Sequence, residues 1–143
     1  MFEFLFCVHF PGFTLTTSSD NATVGLDFTF TCVTTKTLIA FDKDSTNVCT
    51  ITGSNTNGTC VFAEGCTTAY AYTCNPTTNT YTVTIPGSYL TNNLHRTTWK
   101  CQNPFGGASS NVKILYVNGE LFFLFLLLCY YSSCIYYNSP AKA

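Results

Sequence analysis

The sequence predicts an all-β fold, arranged as an antiparallel sandwich. Threonine is the most frequent residue and aromatic residues make up 16% of the chain, a composition that favours strands over helices. From Val24 to Cys32 the apolar side chains occupy every second position, and Trp99 and Cys101 alternate with polar neighbours in a second segment. A period of two is typical of a strand with one buried and one exposed face.

Strand signals recur at regular intervals along the chain, and polar stretches separate them. Two of these stretches, 53–58 and 103–107, contain the Gly, Asn and Pro residues that form tight turns. No sustained helical period occurs between Thr14 and Val117. Strands of this number indicate a sandwich or a barrel, and a cystine between two strands would favour the sandwich. The predicted strands cover residues 13–18, 24–34, 37–42, 48–52, 60–63, 69–74, 80–85, 97–103 and 111–117.

The length and charge of the chain restrict its organisation and its partners. A chain of 143 residues accommodates one domain with a tail. A net charge of −1 and a charged fraction of 9% provide no basic face for nucleic acid and no acidic run for a cationic partner. Residues 1–12 form an apolar extension that is interpreted equally well as a degenerate secretion signal, as a first strand or as an internal start of a longer chain.

Cysteine usage predicts an oxidising compartment. The chain contains nine cysteines, which lack the close paired spacing of a zinc site, so that disulfides are expected and a metal is not. Two glycosylation sequons, at Asn21 and Asn57, lie in polar stretches that should be exposed, whereas Pro76 excludes the one at Asn75. Both features indicate extracellular exposure.

The C-terminal region, 118–143, contains an uncharged run over residues 121–137 that begins with Leu-Phe-Phe-Leu-Phe. As a helix this run would span about 25 Å, at the short end of what crosses a bilayer. We therefore predict a single membrane span with a short tail. A cleaved lipid-anchor signal and an out-of-frame end of the gene are the alternatives.

Three features resemble the immunoglobulin superfamily, in particular its longer, variable-like domains. They are Cys32 in an early long strand, the Tyr81–Ile85 pattern, and the sequence Trp99-Lys100-Cys101. The resemblance covers about residues 13–117. It implies an immunoglobulin-like antiparallel β-sandwich with an inter-sheet disulfide between Cys32 and Cys101.

The resemblance also implies which aromatic residues enter the core. Trp99 occupies the aromatic position two residues before Cys101, where the family usually places a tyrosine. The tryptophan that the family carries in its third strand is missing, and Phe41 or Ile39 is expected to fill that space.

Four further cysteines lie between the two that the resemblance pairs, and three pairings of these four are open. One or two local disulfides here would stiffen an edge of the sandwich. Edge stabilisation is favoured over the alternative of a rigidified recognition face. The four residues are Cys49, Cys60, Cys66 and Cys74.

The sequence offers few catalytic candidates. His95 precedes a strand without a carboxylate nearby in sequence, and is expected to be a solvated loop residue. Asp42 and Asp44 are two residues apart and could contribute to a calcium site, but such a site needs several more oxygen ligands. We therefore predict neither an enzyme nor a cofactor.

The function predicted from these features is non-catalytic recognition or adhesion. The chain is expected to be a single-pass cell-surface module that binds a protein or glycan and no nucleic acid, with association between two copies as a further option. Turn-rich segments 53–59 and 103–110 are the predicted contact regions. The alternative is a secreted, disulfide-rich structural or inhibitory protein without a membrane span.

Overall fold

A computed structural model describes residues 12–54, 56–63 and 65–119. This part of the chain is predominantly β, with short 3-10 turns at Pro76–Thr78, Gly87–Tyr89 and Asn92–Leu94. The strands are β1 (Thr14–Thr17), β2 (Ala22–Thr23), β3 (Phe28–Val33), β4 (Leu38–Lys43), β5 (Thr46–Gly53), β6 (Cys60–Phe62), β7 (Ala71–Asn75), β8 (Thr80–Ile85), β9 (Thr97–Gln102), β10 (Lys113–Leu115) and β11 (Val117–Asn118).

The strands form two larger sheets and one small one. The four-stranded sheet has the order β1-β3-β8-β7, and the five-stranded sheet has the order β10-β9-β4-β5-β6. All neighbours in these two sheets are antiparallel. The small sheet pairs β11 with β2 in parallel. The predicted β class is thus confirmed, with several sheets.

Alternating side chains bury one face of each larger sheet against a common core. In β3 and β8 buried residues, all apolar, alternate with partly exposed threonines, and the last residue of β3, Val33, is exposed on the threonine side. Phe30 lies opposite Val83 in the register, and both side chains are fully buried. Because apolar residues of both larger sheets belong to one buried cluster, the two sheets enclose a single hydrophobic core.

Aromatic stacking organises the centre of this core. The Trp99 ring stacks on Phe30 with ring centroids 4.7 Å apart, and Tyr70 meets it edge-on. Its indole Nε1 donates to Thr97 Oγ1 at 3.0 Å, which satisfies the buried donor. Phe41 of β4 is also fully buried, opposite Cys101 of β9. The two aromatic residues named from the sequence therefore lie in the core.

Three disulfides are present in the described residues. Cys32 of β3 is bonded to Cys101 of β9, with Cα atoms 6.2 Å apart, and this bond connects the two larger sheets. Of the pairings left open by the sequence, the structure contains Cys49–Cys66 and Cys60–Cys74. The last bond joins β6 to β7, which are edge strands of different sheets.

On the side opposite to β6 and β7, an amide side chain links the five-stranded sheet to β1 of the four-stranded sheet. Asn111, just before β10, accepts a hydrogen bond from Leu15 N at 3.1 Å and donates one to Leu15 O at 3.2 Å. Its side chain thereby takes the place of a neighbouring strand for part of β1. Both lateral sides of the sandwich are linked across the sheets, one covalently and one by hydrogen bonds.

The predicted strand 24–34 proves too long at its start. Val24 and Gly25 form a turn, with φ +88° at the glycine, and β3 begins only at Phe28. The turn packs closely against Gly87, where a Cβ would overlap the backbone of Gly25. Leu26, expected on the buried face, is therefore 64% exposed.

Predictions about the two ends of the chain fall largely on residues outside the described part. The extension 1–12 is described only at Gly12, and the proposed span 121–137 lies wholly outside. Within the described ranges, no helix has the length and apolar character needed to cross a bilayer.

Candidate functional site

Three loops meet at one end of the sandwich. Segment 34–37 follows β3, the described residues of segment 54–59 (54 and 56–59) follow β5, and segment 103–110 follows β9. In the five-stranded sheet, the start of β4 pairs with the ends of β5 and β9. All three loops therefore lie at the same end of the sandwich. We call these three segments the loop surface.

A core tyrosine fixes the loop between β3 and β4. The buried side chain of Tyr81 donates its hydroxyl proton to Lys36 O at 3.1 Å. Within the loop, Lys36 N donates to Thr34 Oγ1 at 3.1 Å, and Thr34 N donates to Asn79 O at 3.0 Å. The loop is thus tied both to the core and to the turn before β8.

The loop between β5 and β6 is a hydrogen-bonded turn that carries one sequon. Gly58 N donates to Ser54 O at 2.8 Å, and Ser54 N donates to Thr59 O at 2.8 Å. Asn57 Oδ1 accepts from the backbone N and the hydroxyl of Thr59 at 3.3 and 2.7 Å. Because Asn57 is exposed, this sequon is accessible, as is the exposed Asn21 near β2.

The loop between β9 and β10 presents an aromatic side chain on a hydrogen-bonded turn. Asn103 Oδ1 accepts from Phe105 N at 3.0 Å, and Asn103 O accepts from Gly106 N at 3.0 Å. Gly106 and Gly107 have φ of +89° and +96°, values that favour glycine. The Phe105 side chain is 87% exposed at the tip of this turn.

The loop surface is polar but nearly uncharged. Lys36 is the one charged residue in the sequence of the three segments. Backbone groups, Ser, Thr and Asn side chains and the Phe105 ring therefore dominate what this surface offers a partner. Such a surface suits hydrogen bonding around an aromatic anchor.

A buried carboxylate lies on the outer face of the five-stranded sheet. Asp42 of β4 is 4% exposed, and its Oδ2 accepts from Gln102 Nε2 at 2.6 Å. Burial raises the pKa of Asp42 above its ordinary value, and Lys100, with Nζ 3.9 Å from Oδ2, opposes this shift. Its Oδ1 is buried and has no hydrogen-bond partner in the described residues.

Asp44, the second candidate calcium ligand, binds groups of β9 instead. Asp44 Oδ1 accepts from Thr98 N at 2.8 Å and from Thr98 Oγ1 at 3.2 Å. The backbone hydrogen bond lowers the pKa of Asp44, and a nearby Lys43 adds to the effect. Among the residues that the structure describes, no three metal-ligating side chains come together.

The candidate histidine contacts the backbone of β11. His95 is exposed, and its Nδ1 accepts a hydrogen bond from Val117 N at 3.1 Å. The ring meets Tyr116 edge-on with centroids 5.9 Å apart. This contact positions the loop before β9 rather than a reacting group.

The structure brings the two predicted contact segments together and adds a third. Segments 53–59 and 103–110 were predicted from turn residues, whereas the loop 34–37 was missed because it is short and lacks glycine and proline. The exposure of Phe105 could have been predicted from the neighbouring sequence, because an asparagine two residues before it and the two glycines after it favour a tight turn. The hydrogen bond from Tyr81 to the loop 34–37 could not have been predicted in this way, because its partner Lys36 lies 45 residues away in the sequence.

No known family model matches this sequence, and no curated protein is significantly similar to it. What the loop surface does must therefore be argued from its own geometry and chemistry.

Proposed function

We propose that residues 13–117 form an immunoglobulin-like domain of the variable type, which recognises a protein or glycan at the cell surface through the loop surface. The chain contributes no catalytic step in this proposal. The loops are the contact region, and the sandwich holds them in place.

The strand order is the observation that carries the proposal. The four-stranded order β1-β3-β8-β7 corresponds to A-B-E-D of an immunoglobulin sandwich, and β10-β9-β4-β5-β6 corresponds to G-F-C-C′-C″. The Cys32–Cys101 bond then corresponds to the B–F bridge. The two additional strands β5 and β6 favour the variable type over the constant type.

The same correspondence supports recognition by the loops. Segments 34–37, 54–59 and 103–110 correspond to the three loops that variable domains use for binding. Phe105 is the residue in this region best suited to act as an anchor, because an exposed aromatic ring buries a large apolar area on binding while only two side-chain torsions are fixed.

Display at the cell surface rests on the sequence together with the disulfides. Three disulfides in the described domain require an oxidising compartment for their formation. The two exposed sequons and the apolar run 121–137 agree with a glycosylated, membrane-anchored protein.

The test is a binding screen of the full chain against arrays of extracellular proteins and glycans. For a ligand found in this way, we expect Phe105→Ala to weaken binding about tenfold or more, as for an aromatic hot spot. Leu26→Ala is the matched control, since Leu26 is also an exposed apolar residue but lies at the opposite end of β3. Equal effects of the two substitutions would contradict recognition by the loop surface.

The second candidate function is that of a secreted structural or inhibitory protein, which the three disulfides favour equally. Surface staining of cells that express the full chain or a chain without residues 121–143 separates the two. We expect the full chain on the surface and the shortened chain in the medium. Release of both forms into the medium would favour the secreted alternative.

A further inference from the structure

The end of the sandwich opposite the loop surface contains the point where the described chain leaves the domain. Backbone hydrogen bonds join the segments that meet there, since Val24 N donates to Asn118 O at 3.5 Å and Gly25 N donates to Gly87 O at 3.2 Å. We call these segments the base. They are 24–27 before β3, 86–95 after β8, and 118–119, where β11 ends. The base is therefore one connected surface around the exit of the chain.

Two apolar side chains are exposed on the base. Leu26 is 64% exposed and Tyr89 is 51% exposed. Their turns pack against each other, because Gly87 has no side chain and a Cβ there would overlap the backbone of Gly25. Asp27 Oδ1 accepts from Gly87 N at 2.9 Å and adds a second link. The two exposed side chains thus belong to turns that are fixed to each other.

The base carries little charge. Asp27 is the one charged residue in the sequence of its three segments, and its carboxylate is already hydrogen-bonded to Gly87 N. Such a surface does not attract anionic lipid or nucleic acid by charge. Tyrosine, by contrast, is enriched where proteins meet the boundary between membrane and water. The base can therefore enter a layer of lipid headgroups with little loss of charge hydration.

The distance from the base to the proposed membrane span is short. Only Gly119 and Glu120 separate Asn118 from the start of the uncharged run 121–137. Three Cα-to-Cα steps reach at most about 11 Å, and the headgroup layer on each side of a bilayer is roughly 5–8 Å thick. If the run crosses the bilayer, as the proposed function requires, the base lies at the headgroups.

We propose that the base rests on the extracellular leaflet of the membrane, with Leu26 and Tyr89 inserted among the lipid headgroups. This proposal rests on the membrane anchor in the proposed function and adds the orientation of the domain. A second protein does not fit beneath the base, because one helix with its side chains is already about 10 Å wide. Contact at the base directs the loop surface, at the other end of the domain, away from the membrane and toward partners outside the cell.

Tryptophan fluorescence in lipid vesicles tests the proposal. Leu26→Trp and Tyr89→Trp each place a probe on the base of the full chain, which is reconstituted with its disulfides intact into phosphatidylcholine vesicles. The lipids carry bromine near the headgroups, and bromine quenches tryptophan only at close range. We expect several-fold more quenching in these variants than in the wild type, whose Trp99 is buried in the core. Phe105→Trp is the matched control, because it places the same probe on the loop surface, and it should behave like the wild type.

A charge on the base should weaken its contact with the lipid. In the chain that carries Tyr89→Trp, we expect Leu26→Asp to lower the quenching by bromine. Val61→Asp is the matched control, since Val61 is an equally exposed apolar residue but lies in β6, away from the base. It should leave the quenching unchanged. An equal decrease in both variants would contradict the proposal.

Extraction with carbonate separates failure of the anchor from failure of the contact. Release of the wild-type chain from the vesicles would overturn the membrane anchor and this proposal with it. A chain that stays embedded, but whose probes on the base are quenched no more than Phe105→Trp, would overturn this proposal alone.

Acrylamide, a quencher dissolved in the water, identifies what covers the base in that case. Probes that acrylamide quenches would show that the base faces solvent, and probes shielded from both quenchers would show that a second copy covers it. Either result overturns the proposal. Disulfide mapping and thermal unfolding establish that each variant is folded, and one folded variant of the two is sufficient for the comparison.

Discussion

At the scale of single residues, Asp42 is the position where fold and electrostatics conflict. Its pKa is raised by burial from the ordinary value of 3.8, since the charged carboxylate has lost water and one of its oxygens has no partner in the described residues. The native state then binds the proton more tightly than the unfolded state. Stability therefore falls as the pH rises from 3.8 through the higher pKa of the folded protein.

The substitution Asp42→Asn tests this conflict. We expect the free energy of unfolding at pH 7 to rise by about 1 kcal/mol, because a buried charge with an unsatisfied oxygen is removed. Below pH 3.8, where the wild-type carboxyl is protonated in both states, the gain should disappear. Urea denaturation at the two pH values measures the difference.

Asp44→Asn is the control with the opposite sign. The pKa of Asp44 is lowered by its hydrogen bonds to Thr98, so its charge stabilises the fold above the ordinary value of 3.8, and this contribution is lost as the pH falls through the folded pKa. Asp44→Asn should therefore lower stability at pH 7 and have little effect in acid. If both substitutions stabilise the protein at pH 7, the assignment of Asp42 is wrong.

At the scale of elements, the two sides of the sandwich differ in how their edge strands are linked. A disulfide joins β6 to β7 on one side, and the side chain of Asn111 hydrogen-bonds to β1 on the other. An edge strand exposes unpaired backbone groups. Asn111 satisfies the N–H and C=O of Leu15 in β1, and Leu15 itself is almost fully buried.

We expect Asn111→Ala to lower the free energy of unfolding by about 1–3 kcal/mol, because both backbone groups of Leu15 lose their partner. Hydrogen exchange at the Leu15 amide should become faster. Asn93→Ala, at an exposed position of the turn Asn92–Leu94, is the control and should change neither quantity. Unchanged exchange at Leu15 in the first variant would show that the amide is not a strand substitute.

The Cys32–Cys101 and Cys60–Cys74 disulfides should differ in what their loss does. In the chain-entropy account, closing the loop between Cys32 and Cys101 contributes about 4 kcal/mol, and closing the shorter loop between Cys60 and Cys74 about 3 kcal/mol. The first also joins the two sheets through the core, whereas the second joins their edges. We expect the double substitution of the first pair by Ser to cause retention inside secreting cells.

The corresponding substitution of Cys60 and Cys74 should allow secretion with a lower Tm. Secretion assays and thermal unfolding measure the two effects. Normal secretion without the Cys32–Cys101 bond would contradict the view that this bond is needed for folding.

At the scale of the whole molecule, the two sequons lie at opposite ends of the sandwich. Asn57 belongs to the loop surface, whereas Asn21 lies beside β2. We predict that glycosidase treatment lowers the mass of the protein isolated from expressing cells, and that Asn57→Gln strengthens ligand binding while Asn21→Gln does not. The reason is steric, because a glycan at Asn57 covers part of the loop surface. Equal effects on binding would place the contact elsewhere.

Much of the fold followed from local alternation. The predicted strand 80–85 coincides with β8, because its apolar and polar residues alternate without interruption. The start of β3 did not follow, since the turn at Val24 and Gly25 depends on the close approach of Gly87. Strand β2 was missed for a similar reason, because a two-residue strand is defined only by its partner β11.

The sequence by itself determined the β class, the spacing of the strands and the expectation that the cysteines form disulfides. These follow from side-chain periodicity and from composition, which short windows of sequence contain. Only the tertiary structure decided the pairing of Cys49, Cys60, Cys66 and Cys74, the convergence of three loops at one end and the meeting of three segments at the base. Each of these depends on strand register between segments far apart in the chain. Register is set by packing across the whole core, and no local window of sequence contains it.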